Sequence, residues 1–368
     1  MAAGDAESSG LPDYLDEAEP ASGPVERHKI AVEPKGKPVL SVRDLHVGFK
    51  TDEGILKAVA GISYDLYRNE VLGIVGESGS GKSVSSMAVL GLLPKAAQIS
   101  GEILFDGQDL LKMRERDLLP LRGGRIAMVF QDALAALNPV FTVGHQIAEA
   151  VVVHQPDKKG RPAKTRALEL LDLVGIANPR SLYGQYPHEY SGGMRQRAMI
   201  AMAIANDPDV LIADEPTTAL DVTIQAQVLD VLERVQERAN TAIILITHDL
   251  GVVAGVADRV VVMYAGQMAE IGDVDSIFYD PKHPYTRGLL ASLPRLDVAE
   301  RTDRLHRIKG QPPSLVFVPS GCPFHPRCED AQLPSPCATD RPDLREVGAR
   351  HRSACHLAES LPPFESRS

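Results

Sequence analysis

The sequence GESGSGKS, residues 76–83, decides the fold class of this chain. It matches the pattern G-x-x-x-x-G-K-[ST] and lies between an apolar run, residues 71–75, and the helix-compatible run VSSMAVLGLL. The glycines let consecutive backbone N–H groups point at phosphate oxygens, and the following helix presents its positive end to them. We therefore predict a phosphate loop, with Lys82 at the β- and γ-phosphates and the Ser83 hydroxyl on Mg²⁺.

Three further apolar runs have the length of buried strands, and polar residues closely follow each of them. The runs are residues 125–130, 210–213 and 243–246. With the amphipathic stretches between them, they predict an α/β fold whose parallel sheet is covered by helices. Ligands of such a sheet lie beyond the carboxyl ends of its strands, so we expect four distant residues to converge there. These are Gly76, Gln131, Asp214 and His248.

The expected convergence gives these residues chemical roles. Asp214 suits a contact to Mg²⁺, directly or through another ligand, and Glu215 is placed to orient or deprotonate a water that attacks the γ-phosphate. His248 and Gln131 would position the phosphate and this water. Alone, an Asp-Glu pair after a strand is more often a helix cap or surface turn, and a lone Gln or His is more often a satisfied polar residue. The upstream phosphate loop favours the functional interpretation.

The composition narrows the class of protein. The 368 residues, 44% of them hydrophobic, allow one large domain with an appendage or two modest domains. No apolar run reaches the roughly 18 residues of a bilayer span, and the first residues lack the pattern of a secretory signal. A net charge of −10 weighs against nucleic-acid phosphates as the main ligand. We therefore expect a cytoplasmic protein with no nucleic-acid partner. We expect residues 1–37 to form a disordered acidic tail, with an interaction arm as the alternative, and residues 359–368 to form a flexible tail.

The stretch YSGGMRQR, residues 190–197, places a Ser-Gly-Gly turn at the head of a predicted helix. The unpaired N–H groups of such a helix start can bind an anion, although the chain already has a phosphate loop. An ordinary N-cap with flexible glycines explains the same residues. Physical reasoning alone leaves these two interpretations open.

The ordered set GESGSGKS, FQD, YSGGMRQR, ADEPTTALD and THD resembles the nucleotide-binding subunits of ATP-binding cassette (ABC) transporters. The resemblance covers about residues 39–280. It implies a P-loop NTPase of ABC type at residues 38–280, with a mostly parallel sheet core, an antiparallel β part and an inserted helical subdomain at about residues 132–190. The amphipathic patterns in VGHQIAEAVVVH and KTRALELLDLVGI agree with such a subdomain.

The resemblance also implies how ATP and magnesium are bound. In that family the Ser-Gly-Gly segment serves the nucleotide of the opposite subunit, so Ser191 and Gly193 would contact a γ-phosphate in trans, with Asp221 at the dimer interface. Phe49 would stack on adenine. The predicted ATP-binding residues are Phe49, Gly76, Ser78, Gly79, Ser80, Gly81, Lys82, Ser83, Val84, Ser191, Gly192, Gly193 and Asp221. The predicted magnesium ligands are Ser83, Gln131 and Asp214, and the predicted catalytic residues are Lys82, Gln131, Glu215 and His248.

Each of these motifs occurs once, so we expect a second ABC ATPase subunit, a related chain rather than an identical copy. The resemblance implies that the helical subdomain docks a cytoplasmic helix of a membrane subunit. It further implies two transmembrane permease subunits, an extracytoplasmic peptide-binding protein, and a location on the cytoplasmic face of the cell membrane.

From residue 281 onward, PKHPYTRGLLASLPRLD and the segment that follows it resemble the C-terminal extension of oligopeptide and dipeptide importer ATPases. We expect this small cysteine-rich extension to cover residues 281–358. It contains all the cysteines of the chain, with the spacing C-x₅-C-x₈-C-x₁₇-C: Cys322, Cys328, Cys337 and Cys355. Four thiols in a Pro-rich segment with little apolar surface suggest a metal site that organises it.

The four cysteines are compatible with structural Zn²⁺ or with an iron–sulfur cluster. The tight C-x₂₋₄-C pairs usual for zinc are absent, and in the importer family the corresponding cysteines are associated with a 4Fe-4S cluster, which GCPFHPRC closely matches. We therefore expect a 4Fe-4S cluster, with zinc as the alternative. His325, His351 or His356 could replace one cysteine as a ligand.

Taken together, the sequence predicts an ATPase subunit that powers import of di- and oligopeptides. Nickel and glutathione importers share this architecture and remain alternatives. A non-transport ABC ATPase is disfavoured, because the chain has neither a long coiled-coil insertion nor a second cassette. A regulatory metal protein with a vestigial ATPase is disfavoured because every catalytic position is filled.

Overall fold

Two β-sheets form the framework of the chain in a computed structural model, which describes residues 36–218, 220–293 and 307–364. The tail expected at residues 1–37 lies outside the described residues except for its last two, and so do residues 365–368. The described strands are β1 (Leu40–Thr51), β2 (Gly54–Leu66), β3 (Val71–Val75), β4 (Ala97–Phe105), β5 (Gln108–Asp109), β6 (Ile126–Val129), β7 (Val210–Asp214), β8 (Ala242–Thr247), β9 (Arg259–Tyr264), β10 (Gln267–Asp273), β11 (Arg345–Gly348) and β12 (His351–Ser353).

The larger sheet has the strand order β11-β12-β10-β9-β3-β8-β7-β6, and the last five of these strands are parallel. Every residue of β3, β7 and β8 is buried, as is typical of parallel strands that are covered on both faces. The four predicted strands are confirmed, each within one residue of its predicted ends. Their carboxyl ends therefore meet at one edge of the sheet, as the α/β prediction requires.

The two faces of β3 contribute to two different cores. Val71 and Val75 pack with the helices on one face, whereas Leu72 and Ile74 pack with the second, antiparallel sheet, β2-β1-β4-β5. This division follows from the two-residue period of a strand. The phosphate loop after β3 is therefore anchored from both sides.

The described helices surround the larger sheet and form a helical segment between β6 and β7. They are α1 (Lys82–Val89), α2 (Glu115–Leu118), α3 (Ala133–Ala136), α4 (Val143–His154), α5 (Arg161–Leu173), α6 (Pro179–Leu182), α7 (Gly192–Ala203), α8 (Val222–Ala239), α9 (Leu250–Val256), α10 (Val274–Tyr279) and α11 (Pro284–Ala291). Both predicted amphipathic segments are helical, as α4 and α5. In α4, Val143, Ile147 and Val151 are fully buried at four-residue spacing, which places them on one helix face. None of the described helices is long and apolar enough to cross a membrane.

The extension after residue 281 is continuous with the larger sheet. Its hairpin, β11 and β12, pairs with β10 in an antiparallel register that joins Glu270 to Ser353 and Ile271 to Arg352. This pairing satisfies one edge of the sheet. The extension is therefore held to the larger sheet by backbone pairing with β10.

Candidate nucleotide site

The phosphate loop links β3 to α1, and two of its glycines are required by close backbone contacts. Gly76 has a φ of 150°, and a Cβ there would lie 2.2 Å from Met263 O. Gly81 has a φ of 99°, and a Cβ there would lie 2.2 Å from Ala58 O. Only glycine fits both positions, so the loop is pressed against the neighbouring strands with the start of α1 beside it.

Lys82 folds back over the loop that precedes it. Its Nζ donates hydrogen bonds to Gly76 O at 2.7 Å and to Glu77 O at 3.0 Å. Burial lowers the pKa of Lys82, and nearby carboxylates oppose this shift. The ammonium group is thus held at the mouth of the loop, where the sequence predicts phosphate.

Ser83 and Asp214, two of the predicted magnesium ligands, contact each other. Ser83 Oγ donates to Asp214 Oδ1 at 3.0 Å, which joins the start of α1 to the end of β7. Burial raises the pKa of Asp214, and the hydrogen bond from Ser83 opposes this shift. Hydroxyl and carboxylate oxygens are the ligands that Mg²⁺ prefers, so these two residues fit that ion.

Three side chains converge on one oxygen of Glu215. Gln131 Nε2 donates to Glu215 Oε2 at 3.0 Å, Thr218 Oγ1 donates to it at 2.8 Å, and His248 Nδ1 lies 3.5 Å away. Glu215 has a φ of 47°, and its N–H donates to Ile246 O at 2.9 Å. The structure thus brings together the carboxylate, glutamine and histidine that the sequence placed at separate strand ends.

The Ser-Gly-Gly segment begins α7 and lies against the start of α8. Ser191 is the N-cap of α7 and accepts a hydrogen bond from Met194 N at 3.3 Å, while Asp221 caps α8 by accepting from Ile224 N at 2.9 Å. A Cβ on Gly193 would lie 2.6 Å from Ile224 Cγ2, so this glycine allows the two helices to approach. Ser191 is exposed, and its cap interaction with Met194 N involves only local atoms. Both interpretations of this turn are therefore compatible with its geometry.

Comparisons with known proteins place this geometry in a family. The family model described as "ABC transporter" matches residues 59–218, and the model described as "Oligopeptide/dipeptide transporter, C-terminal region" matches residues 269–334. The dipeptide transport ATP-binding protein DppD of Bacillus subtilis is 54% identical over 299 residues, which are 80% of this chain and 88% of that protein. The chain belongs to the ATP-binding proteins of the oligopeptide and dipeptide ABC transporters.

Other members of this family differ in length. DppD of Escherichia coli is 48% identical over 86% of this chain and 96% of its own length. The oligopeptide transport ATP-binding protein OppD of Mycobacterium tuberculosis is 53% identical over 88% of this chain. The match covers 52% of that protein, so the chain spans about half the length of its mycobacterial relatives.

Solved structures of ABC cassettes share the fold. The cassette MJ0796, in a dimeric post-hydrolysis state bound to ADP and Pi, matches with a TM-score of 0.58 at 25% identity, covering 64% of this chain and 98% of that one. CbiO1 of Clostridium perfringens, part of the ABC transporter complex cbiONQ, matches with a TM-score of 0.55 at 28% identity. It covers 66% of this chain and 91% of that one. The ABC-type fold prediction is therefore confirmed.

The remaining predicted nucleotide contacts lie on or near the loop, except for one. Ser78 and Gly79 are exposed at the loop tip, Ser80 is buried beneath it, and Val84 is half-buried in α1. Phe49 lies on β1, where it pairs with Leu56 and Ala97 and is half-buried against the antiparallel sheet's core. Its stacking on adenine stays a prediction.

Sequence reasoning missed three residues that contact the site. Thr218 binds Glu215, and its signal was the unused pair of threonines in ADEPTTALD. Tyr285 and Arg327 both contact Glu77 of the phosphate loop from the C-terminal extension. They are separated from it by 208 and 250 residues, and no local pattern indicates such contacts.

The cysteines of the extension surround one cavity. The cavity is small, with a volume of about 10 Å³, and its lining includes Cys322, Cys328, Cys337 and Cys355, together with His325 and His356. Burial raises the pKa of Cys328 to about 12 and that of Cys355 to about 11. Among the described residues, no group of three or more His, Cys, Asp or Glu side chains is arranged to hold a metal ion. This finding supports neither the expected 4Fe-4S cluster nor the alternative zinc ion.

Proposed function

We propose that this chain hydrolyses Mg·ATP and thereby powers the import of di- and oligopeptides through a membrane transporter. The observation that carries the proposal is the convergence of Gln131, Thr218 and His248 on Glu215 Oε2. Lys82 and the Ser83–Asp214 pair supply the phosphate and magnesium contacts beside it. Membership of the peptide-transporter ATPases supports the choice of cargo.

The residues of the site suggest how hydrolysis proceeds. The N–H groups of the loop and Lys82 Nζ bind the phosphate oxygens, which requires Lys82 to exchange its bonds to loop carbonyls for bonds to ATP. Ser83 and Asp214 would hold Mg²⁺, with Gln131 as the further predicted ligand. When bound, Mg²⁺ neutralises charge on the phosphates.

Glu215 is placed to act as general base. It would take a proton from a water whose oxygen bonds to the γ-phosphorus while the bond to the β-phosphate oxygen breaks, giving ADP and inorganic phosphate. The bonds from Gln131 and Thr218 fix the orientation of the carboxylate. His248, which is 59% exposed, has room to turn toward the phosphate.

Assembly with other subunits completes the proposal. A second ABC ATPase, more readily a related chain than an identical one, would supply its Ser-Gly-Gly segment to this ATP, and Ser191 and Gly193 would serve the partner's. Two permease subunits and an extracytoplasmic peptide-binding protein would complete the importer at the cytoplasmic face of the membrane. The dimeric MJ0796 cassette supports the pairing, and similarity to the dipeptide transport ATP-binding protein DppD supports the membrane partners.

The cargo is testable in proteoliposomes that contain the chain with its own membrane and ATPase partners. We expect ATP-dependent uptake of short peptides delivered by the binding protein, and no uptake when Glu215 is replaced by Gln. Nickel ions and glutathione serve as competing cargoes. Uptake of either in place of peptides would overturn the peptide assignment and leave the ATPase assignment intact.

We further propose that the four cysteines hold a 4Fe-4S cluster. All four thiols line one cavity, and cysteine thiolates are the usual ligands of iron–sulfur clusters. Because burial raises the pKa of Cys322, Cys328 and Cys355, cluster binding would release protons. The test is the absorption spectrum and the iron and zinc content of anaerobically purified protein. A colourless protein without iron would overturn the cluster.

A further inference from the structure

Every polar group of Glu77, the second residue of the phosphate loop, is bonded. Its carboxylate receives two hydrogen bonds from Arg327, NH1 to Oε2 at 2.6 Å and NH2 to Oε1 at 3.0 Å. Its N–H donates to Tyr285 Oη at 2.8 Å, and its C=O accepts from Lys82 Nζ at 3.0 Å. Two residues of the C-terminal extension therefore contact the same loop residue as the phosphate-binding lysine.

Arg327 is itself held rigidly. Its side chain is 5% exposed, and it also donates to Lys309 O at 3.0 Å and to Tyr264 Oη at 3.3 Å. The guanidinium carbon lies 5.7 Å from the centre of the Tyr264 ring and 5.9 Å from that of Phe324. The hydrogen bond with Glu77 raises the pKa of Arg327 further above its ordinary value. A paired fork that is fixed on all sides sets both the position and the angle of the carboxylate.

Tyr285 is equally constrained. It lies in α11 with none of its surface exposed, and its ring centre is 4.6 Å from that of Tyr264 and 5.3 Å from that of Phe324. Phe324 comes from the cysteine-rich segment, so the extension and β9 share one aromatic cluster. The packing of the Tyr285 ring therefore fixes its hydroxyl beside Glu77 N.

The hydrogen bonds from Arg327 also balance the negative charge of Glu77. The Glu77 carboxylate lies in the loop that receives the phosphates, where an unpaired negative charge would repel them. Arg327 balances that charge through its two hydrogen bonds to the carboxylate. Lys82 shares Glu77 with this pair, so a shift of residue 77 would also move the carbonyl that Lys82 contacts.

We propose that Arg327 and Tyr285 are positioning residues for ATP: they fix Glu77, and through it the phosphate loop, in the conformation that binds nucleotide. Without them the binding-competent loop is populated only part of the time, and the apparent affinity falls by that fraction. The inference depends on the ATP-binding role of the loop and not on what the cysteines bind.

The test measures ATP affinity, KM and kcat of the full chain in its complex for R327M, R327K, Y285F and E77Q. We expect R327M to weaken ATP binding about tenfold, since a paired hydrogen bond to a charged group is lost, with kcat reduced less than KM is raised. R327K, which keeps the charge without the fork, should lie between R327M and the unchanged chain. Y285F, which removes one hydroxyl from an intact cluster, should weaken binding a few-fold.

The matched control is K309M. It removes an exposed ion pair with Glu329 in the same extension, 2.7 Å long, and leaves the backbone oxygen that Arg327 contacts. We expect K309M to bind ATP as the unchanged chain does. The double variant R327M/E77Q should bind ATP no more weakly than R327M alone, because both changes break the same pair.

Three results would overturn the proposal. One is a loss of melting temperature in R327M and Y285F with unchanged ATP affinity, which would mean that the contacts only attach the extension. Another is additive effects of R327M and E77Q on affinity. A reduced affinity in R327M that also appears in K309M would equally reject a specific role for Arg327.

Discussion

The buried carboxylate of Glu270 should be the strongest single attachment between the extension and the sheet. Glu270 lies in β10 with no exposed surface, and three groups contact it: Lys282 N at 2.5 Å, His283 N at 3.0 Å and His351 Nε2 at 2.6 Å. All three come from residues after the predicted boundary at 281. The substitution E270Q keeps the size of the side chain but replaces one acceptor oxygen with an NH₂ donor.

The magnitude follows from these contacts. In E270Q the new NH₂ group faces at least one buried donor, and leaving that donor unsatisfied costs about 1–3 kcal/mol. The substitution also removes the negative charge that strengthens the remaining hydrogen bonds. We expect a loss of about 3 kcal/mol in the free energy of unfolding, or about 1 M in the urea midpoint for a slope near 3 kcal/mol per M. Urea titration followed by circular dichroism measures this shift.

The matched control is E359Q, which removes an exposed carboxylate that pairs with Arg345 in the same extension. Exposed ion pairs contribute little, so its midpoint should stay close to that of the unchanged chain. If E270Q shifted the midpoint no more than E359Q does, the buried contacts would not hold the extension to the sheet, and the reasoning would fail.

Three further outcomes follow from other contacts. T218V removes a hydrogen bond to Glu215 Oε2, so steady-state assays should show kcat about tenfold lower with KM for ATP unchanged. G193A places a Cβ 2.6 Å from Ile224 Cγ2, so urea unfolding should show a loss of about 1–3 kcal/mol, and I224A in the same chain should recover part of it. Burial lowers the pKa of His283 to about 4 from 6.5, so the unfolded chain binds the proton that the folded chain excludes. Stability should therefore fall as the pH drops from 6.5 toward 4, by about 3 kcal/mol more than in H283N, as judged from urea midpoints at each pH.

The strand ends of the site were predictable because each carries a local signal. Buried parallel strands appear as short apolar runs, and the polar residue after each run must lie at the same edge of the sheet. This rule correctly predicted that these strand ends converge: Asp214 contacts Ser83 of the phosphate loop, and Gln131 and His248 contact Glu215 beside it. The rule could not predict the role of Thr218, which contacts Glu215 from the turn after β7.

The extension was the least predictable part. Its hairpin strands, REVG and HRS, contain no apolar run, so nothing in the sequence indicates that they lengthen the main sheet. The sequence predicts an extension with too little apolar surface to fold alone, and the structure is compatible with this. The extension packs through its pairing with β10 and through the aromatic cluster around Phe324. Arg327 lies within the cysteine motif GCPFHPRC, and nothing in that motif indicates that its partner is Glu77 of the phosphate loop.

The single-turnover rate of phosphate release in E215Q tests the central claim most directly. In this measurement the assembled complex is mixed with ATP, with the complex in excess over the nucleotide. ATP affinity is determined in the same preparation. We expect release to slow by about 10²–10⁴-fold with ATP affinity unchanged, because the carboxamide cannot accept the proton of the attacking water. Near-normal release at unchanged affinity would contradict the role of Glu215 and, with it, the interpretation of the convergent site.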